Sequence, residues 1–300
     1  MAWDLYMGTY RRLYKDRGSM KKLRSVLHMT KSLLLYEWND KRVIMGFLAG
    51  MTVPVFWLKN FLDYAAGTGE PVNILEAFPV VEHEYKSVMF LVLGWFLIVS
   101  DAPFINGNTY YSLYRTRKRS WNLAMVLYIL AQAAFYTAAV AIPMILASLP
   151  CGFAGKMWSN PVYMLSRDYD MRKGGEYGIS FLRQNMMREM NVPQAFAATA
   201  LCFFLYLVLM GIILYTCNLL LGGIWGIVIS FIVHISGYGL AFSGDIRFAL
   251  MEYARPGNFA DSGGMHLVQP VAVMAGLAAV LVVVGDRFMD KVDFKGDAQE

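Results

Sequence analysis

The sequence predicts an all-α integral membrane protein, with six transmembrane helices preceded by a cytoplasmic, interfacial amphipathic helix. Composition is the first observation: 57% of the 300 residues are hydrophobic and only 16% are charged. Typical soluble domains carry about 45–50% apolar and about 25% charged residues. Second, the apolar residues fall into six blocks long enough to cross a bilayer. Third, a basic segment with helical periodicity precedes the first block.

The leader over residues 1–42 is predicted to lie on the cytoplasmic side. Its segment from Ser19 to Trp38 repeats apolar residues at steps of three, four and seven, at Met20, Leu23, Leu27 and Leu34. Basic residues fall largely on other faces of the same helix, at Lys21, Lys22, Arg24 and Lys31. This pattern favours a helix lying among the headgroups of the cytoplasmic leaflet. The alternative is a solvated basic leader that only sets topology.

The transmembrane domain is expected over residues 43–285. A spanning helix needs roughly 20 mostly apolar residues, because about 30 Å of hydrocarbon is crossed at 1.5 Å per residue. The six predicted spans cover about 43–62, 87–105, 121–149, 195–221, 224–242 and 268–285. Gly46 and Gly50 have the spacing that lets helices approach closely in lipid. We expect them to pack within the chain rather than at a dimer interface.

Orientation follows from the placement of lysine and arginine beside the spans. The leader, the loop after the second span and the 286–300 tail together hold 17 of the 27 basic residues. With six spans these three segments share one side, whereas the first loop on the other side is acidic. We therefore expect a multi-pass protein of the plasma (cytoplasmic) membrane with both termini in the cytoplasm.

Signatures of common enzyme classes are missing from the sequence. There is no H-E-x-x-H, G-x-S-x-G or C-x-x-C motif. Gly155-Lys156 lacks both the earlier glycine and the following Ser or Thr of a phosphate-binding loop. The four histidines have no metal-ligand spacing on one helix. We therefore predict no catalytic residue and no cofactor or metal site. We also predict no nucleic-acid partner, because the adjoining membrane span already explains the basic residues of the leader.

Polar residues inside the spans are the candidates for a lined pathway. Ser230, His234 and Tyr238 share one face of the fifth span, since they are four residues apart. A polar stripe at membrane depth must face protein or a water-filled path. Gln132 and Asn218 are possible partners from the third and fourth spans. The simpler interpretation, which we favour, is an interhelical hydrogen-bond cluster.

The loop after the second span combines exposed aromatic and basic residues. It follows Asp101-Ala-Pro, which predicts a helix break and a pairing of Asp101 with an arginine. The residues of interest are Tyr110, Tyr111, Leu113, Tyr114, Arg115 and Arg117, with Lys118 and Arg119 beyond them. Aromatics backed by arginines are typical of binding hot spots. The alternative is that the tyrosines belong to the interfacial belt and the basic residues only fix topology.

Together with Val192-Pro193-Gln-Ala-Phe196 before the fourth span and Met289-Asp-Lys-Val-Asp-Phe294 after the last, this loop resembles the permease subunits of ABC transporters of the ABC-2 exporter type. The resemblance implies a pathway shared with a second copy or a sister permease, and energy from a separate ATP-binding subunit. It also implies that the leader is the elbow helix and that Asn106 to Ser120 forms the coupling helix. The long Pro150–Pro193 loop departs from the family's compact outer face and suggests a small outer subdomain or partner surface.

Two other classes of function remain open from the sequence. An independent channel or secondary transporter would be expected to show an internal repeat or charges at mid-membrane, and the sequence shows neither. An intramembrane enzyme or assembly factor would need convergent acid, base or metal groups within the spans, where only His234 qualifies. The prediction is therefore a permease subunit with no ATPase site of its own.

Overall fold

The computed structural model describes residues 23–103, 118–167, 175–179, 181, 184–222, 224–243, 249–261 and 264–289, which are mostly helical. In chain order the helices are α1 (23–37), α2 (Lys41–Thr68), α3 (Ala77–Glu82), α4 (Tyr85–Val99), α5 (Lys118–Ser148), α6 (Asn160–Leu165), α7 (Gln184–Glu189), α8 (Val192–Leu221), α9 (Trp225–Ser243) and α10 (Val268–Phe288). Single 3-10 turns follow at Leu149–Cys151, Leu250–Ala254 and Pro256–Phe259. Strand β1 (Val72–Asn73) pairs in parallel with β2 (Gly152–Phe153), and β3 (Ala260–Asp261) pairs antiparallel with β4 (Gly264–Met265).

Four helices in the described ranges are long and apolar enough to cross a membrane. They are α2, α5 with its following turn, α8 and α10, and they coincide with the first, third, fourth and sixth predicted spans. The other two predicted spans fall on shorter apolar helices, α4 and the Trp225–Leu240 part of α9. Its 15 residues make α4 only about 22 Å long. The prediction of a helical membrane protein is thus supported, whereas the count of six spans stays a prediction.

Local signals explain where the long helices begin and end. The Asp40 carboxylate accepts a hydrogen bond of 2.9 Å from the backbone N–H of Arg42 and so caps the start of α2. Gly69 ends α2 with a φ of 73°, which glycine adopts without strain. At the start of α8, Asn191 and Gln194 form a reciprocal capping box. These caps fix the helix limits independently of the apolar pattern.

The contact between α2 and α4 is made close by glycine. A Cβ atom on Gly46 would lie 2.7 Å from the carbonyl oxygen of Gly94, so only glycine allows these two backbones to approach. One turn further, the ring of Tyr136 from α5 occupies the space beside Gly50. The Tyr136 hydroxyl donates a 2.7 Å hydrogen bond to the Leu91 carbonyl. The expectation that Gly46 and Gly50 pack within the chain is therefore confirmed.

Helix α1 lies against α5 along a narrow stripe. Val26 and Thr30 are buried, and the Thr30 hydroxyl donates a 3.2 Å hydrogen bond to the Ala124 carbonyl. Large apolar side chains on this helix and the turn after it stay exposed, namely Leu23, Leu27, Leu35, Tyr36 and Trp38. The helix therefore presents one face to the bundle and leaves much of its apolar surface uncovered.

Two loops far apart in sequence join at the other end of α2. Beside the β1–β2 pair, the Asn73 amide donates to the carbonyls of Gly155 and Met157 at 2.9 and 3.1 Å. The buried Glu76 carboxylate accepts hydrogen bonds from the backbone N–H groups of Asn73 and Ser159. Burial raises the pKa of Glu76 to about 7, although these hydrogen bonds oppose the rise. The 70–84 and 149–167 segments thus form one ordered unit.

Candidate functional site at the flanks of the 104–117 segment

The predicted contact residues of the loop after the second predicted span, from Tyr110 to Arg117, lie outside the described residues. The structure does describe both flanks of this segment. The first flank, Ser100 to Pro103, is a turn that follows the end of α4 at Val99, so the break predicted at Asp101-Ala-Pro is present. The second flank begins α5 at Lys118. The contacts of these flanking residues determine which helices would move if a partner displaced this loop.

Asn218 holds the first flank from inside the bundle. Its side-chain nitrogen donates to the carbonyl of Ala102 at 2.8 Å and, more weakly, to that of Ser100 at 3.4 Å. Its side-chain oxygen accepts a 2.7 Å hydrogen bond from the backbone N–H of Gly226. One buried amide thus ties the end of α4 to the end of α8 and the start of α9. Asn218 is a candidate pathway residue by sequence, and the structure places it at this junction.

Charged groups tie the same flank to α2. Arg42 forms an ion pair with Asp101 and a second one, of 2.7 Å, with Asp40. The pairing expected for Asp101 is therefore present. The Arg42 guanidinium beside Asp40 holds the pKa of that carboxyl below its usual value. Glu37 lies buried nearby at the end of α1, where burial and then the Asp40 charge raise its pKa to about 7.

The second flank is bound to two other helices. The Tyr215 hydroxyl of α8 donates a 2.7 Å hydrogen bond to the side-chain oxygen of Asn122, and both groups are buried. The Arg119 guanidinium lies 3.8 Å from the Asp286 carboxylate near the end of α10, in a more exposed pair. A displacement of the loop would therefore act on α2, α8, α9 and α10 through named side-chain contacts.

His234 is held between helices at the centre of α9. Its Nδ1 atom lies 2.8 Å from the Tyr206 hydroxyl, and its Nε2 atom lies 3.3 Å from the Met89 carbonyl. The residue is fully buried, as is Ser230 one turn earlier, whose hydroxyl has no hydrogen-bond partner in the part of the chain that the structure describes. This geometry is that of an interhelical link from α9 to α8 and α4.

The five candidate pathway residues do not share one set of partners. Gln132 is buried and donates a 3.2 Å hydrogen bond to Tyr128, one turn away on its own helix. Tyr238 lies on the same helix as His234, with its ring 6.4 Å from that of Tyr85. Asn218 binds the first flank instead. Ser230, His234 and Tyr238 share a helix as their spacing predicts, while the roles of all five residues stay predictions.

An apolar groove opens beside the His234 link. It has a volume of about 570 Å³ and lies between α2, α4 and α9. Its wall includes small residues, Ala49 and Gly94, and the aromatic rings of Phe90, Phe96 and Phe231. The Phe96 ring is 6.0 Å from that of His234 and perpendicular to it. The groove thus joins the first, second and fifth predicted spans.

Sequence reasoning missed a buried charged cluster before α4. Glu82, Glu252 and Arg255 are each at most 2% exposed. These residues sit in or beside turns, where charged side chains are ordinarily solvated, so their sequence positions predict exposure. The one signal in the sequence was the spacing of Glu252 and Arg255, three residues apart in a short stretch with few other charges.

Comparison with protein-family models, with curated proteins and with solved structures gives no match for this chain. Its function is therefore inferred from its own residues and contacts.

Proposed function

We propose that this chain is the transmembrane permease subunit of an ABC exporter, driven by a separate ATP-binding subunit that contacts residues 106–120. The observation that carries the proposal is the attachment of both flanks of this segment. Asn218 and Arg42 hold the first flank, while Tyr215 and Asp286 hold the second. A surface loop that only reversed the chain direction would not need these links to three other helices.

Six spans are part of the proposal, with α4 and α9 as the second and fifth. The leader lies in the cytoplasmic leaflet, where its exposed leucines meet acyl chains and Arg24 and Lys31 meet anionic headgroups. The substrate path runs beside His234 and the apolar groove, and a second copy or a sister permease completes it. ATP hydrolysis belongs to the partner, because this sequence has no complete phosphate-binding loop.

Topology tests the six-span arrangement directly. Single cysteines are introduced into a variant that lacks the three native cysteines and are labelled in intact cells with a membrane-impermeant maleimide. A cysteine at the highly exposed Met157 should react from outside, whereas one at Thr116 should react only after permeabilisation. External labelling at Thr116 would contradict the proposed orientation.

Co-purification from native membranes tests the contact itself. The double variant Leu113→Ala with Tyr114→Ala keeps every charge, so insertion should survive while recovery of an ATP-binding subunit falls sharply. The matched control is Leu149→Ala with Tyr163→Ala, which removes the same side-chain types from exposed positions elsewhere. Equal recovery from both double variants would favour the interfacial-belt interpretation. Transport by the purified chain without an ATP-binding subunit would favour a channel or secondary transporter.

A further inference from the structure

Two buried carboxyl groups, those of Glu82 and Glu252, lie near one guanidinium, that of Arg255, at the start of α4, the end opposite to Asp101. Glu252 and Arg255 form an ion pair of 3.0 Å whose side chains are 0% and 3% exposed. The Asn258 amide also donates to the Glu252 carboxylate. Glu252 therefore has the partners that a buried ionised carboxylate requires.

Arg255 fastens the 250–259 turns to the junction of α3 and α4. One of its terminal nitrogens binds Glu252, and the other donates to the backbone carbonyl of His83. Its guanidinium carbon lies 3.8 Å from the centre of the Tyr85 ring, in a cation–π contact. The Nε atom of Arg255 is buried without a hydrogen-bond partner among the described residues. The Nε–H group is therefore a donor available for another acceptor.

Glu82 is the second carboxyl group of this site. It is 1% exposed, and neither of its oxygens has a hydrogen-bond partner in the described ranges. Burial raises its pKa well above the usual value, and the nearby positive charge of Arg255 opposes this only in part. An isolated carboxylate is strongly destabilised by burial, so such groups take up a proton instead. Since Arg255 already pairs with Glu252, Glu82 is the group that becomes neutral.

Among the residues that the structure describes, Arg255 is the one positive charge that acts on Glu82. The groups that interact electrostatically with it, besides Arg255, are Tyr136 of α5 and Cys202 and Tyr206 of α8. Glu252 lies in the Leu250–Ala254 turn, on the other side of the Arg255 guanidinium. His83 follows Glu82 in the chain, and its ring contacts that of Phe181. Tyr64 is the one titratable residue that α2 buries, and the buried residues of α4 include none.

We propose that Glu82 is a proton-binding site, and that its bound proton keeps Arg255 on Glu252 and so holds the 250–259 turns against α3 and α4. When the proton leaves to water, a carboxylate forms at Glu82 and competes with Glu252 for Arg255, whose Nε is unoccupied. The guanidinium then shifts toward Glu82, and the 250–259 turns loosen. This inference does not depend on the proposed transport function.

Infrared spectroscopy of the full chain in a detergent without ester groups tests the proton itself, because the ester carbonyls of phospholipids absorb in the same region as a protonated carboxyl group. At about pH 8.5, carboxyl groups with a pKa near 7 are mostly ionised. A C=O stretch of a protonated carboxyl group that persists at this pH therefore comes from a group with a higher pKa. We expect this band in the wild type, its loss in Glu82→Gln, and its loss in the wild type at still higher pH. Glu76→Gln is the control that should keep the band, because the Glu76 carboxyl, with a pKa of about 7, is mostly ionised at this pH and has no contact with Arg255. A band that is absent from the wild type, or that survives in Glu82→Gln, overturns the proposal.

Cysteine accessibility tests the coupling to the turns. In a cysteine-free background, Ala254→Cys reports the 0% exposed turn and Met157→Cys reports a 78% exposed site on another loop. We divide the maleimide labelling rate at residue 254 by the rate at residue 157. This ratio removes the increase in reactivity with pH that both thiols share. Because opening releases one proton, we expect the ratio to rise with pH by up to about tenfold per unit. It should stay flat in Glu82→Gln and in Glu82→Met, which also lacks the proton. A flat ratio in the wild type, or an equal rise in both variants, overturns the coupling.

Discussion

The side-chain amide of Asn218 donates a 2.8 Å hydrogen bond to the backbone carbonyl of Ala102, a residue 116 positions earlier in the chain. The same side chain accepts from Gly226 at 2.7 Å. A single residue near the end of α8 therefore fixes both the turn that leads into the 104–117 segment and the first turn of α9.

Replacing Asn218 with alanine removes this link. We expect Asn218→Ala to lower the free energy of unfolding by about 1–3 kcal/mol, because buried backbone groups lose their partner. Asn39→Ala, at an exposed turn position, should change stability by less than about 0.5 kcal/mol. Thermal unfolding of both variants in nanodiscs measures the difference. Equal melting temperatures for the two variants would show that the link carries no stability.

Adding one methyl group to Gly50 should disturb the centre of the bundle. The new Cβ would lie 2.8 Å from the Cζ atom of Tyr136, whose ring is fixed by its hydrogen bond to Leu91. We expect Gly50→Ala to destabilise the protein by about 1–3 kcal/mol. Gly276→Ala on α10 is the control, since a Cβ atom at that position would have no neighbour within 4 Å among the described residues. A similar loss in both variants would mean that glycine matters here for reasons other than space.

The contact between Tyr206 and His234 should appear as an energetic coupling. Tyr206→Phe removes the hydroxyl 2.8 Å from the His234 Nδ1 atom, and His234→Gln alters the other partner. In a double-mutant cycle we expect the two losses to be non-additive by about 0.5–3 kcal/mol. The pair Tyr206→Phe and Asn39→Ala, which involves distant residues, should be additive. Additive losses for Tyr206 and His234 would argue against the interhelical link.

Stability should depend on pH through Glu76. Its pKa is about 7 in the folded chain against a usual value of 4.5, so the folded state binds more protons between these two values. Stability therefore falls as pH rises from 4.5 towards 7. We expect Glu76→Gln to show a smaller fall in melting temperature from about pH 5 to pH 8. Its melting temperature at the acidic end should be lower, because an amide oxygen replaces only part of the carboxyl group's accepting capacity.

Glu176→Gln is the matched control for this measurement, since Glu176 is exposed. It should keep the wild-type pH profile. If Glu76→Gln and Glu176→Gln have the same slope as the wild type, Glu76 contributes nothing to the pH dependence.

The long helices could be predicted from the sequence because lipid imposes a simple requirement on each of them. A run of apolar residues with few charges must satisfy its own backbone hydrogen bonds, and a single segment can do so only as a helix. The end of α4 was also predictable, because Asp101 and Pro103 stop a helix locally. In each case a short stretch of chain contains the whole physical cause.

The contacts that define the candidate site depend instead on residues far apart in sequence. Nothing in the sequence near Asn218 indicates that its amide reaches Ala102, and the pattern around Glu82 does not reveal a partner at Arg255. Tertiary packing decides these features, and no local spacing encodes it.

The links at the two flanks of the 104–117 segment differ in their sensitivity to salt. Asn218 with Ala102 and Tyr215 with Asn122 are neutral and buried, whereas Arg42 with Asp101 and Arg119 with Asp286 are charged and partly exposed. Dissolved ions screen exposed charge pairs and leave buried neutral hydrogen bonds largely unaffected. Raising the ionic strength therefore weakens the attachment of the flanks to α2 and α10 while their attachment to α8 persists, so the salt concentration sets how many helices move with the segment.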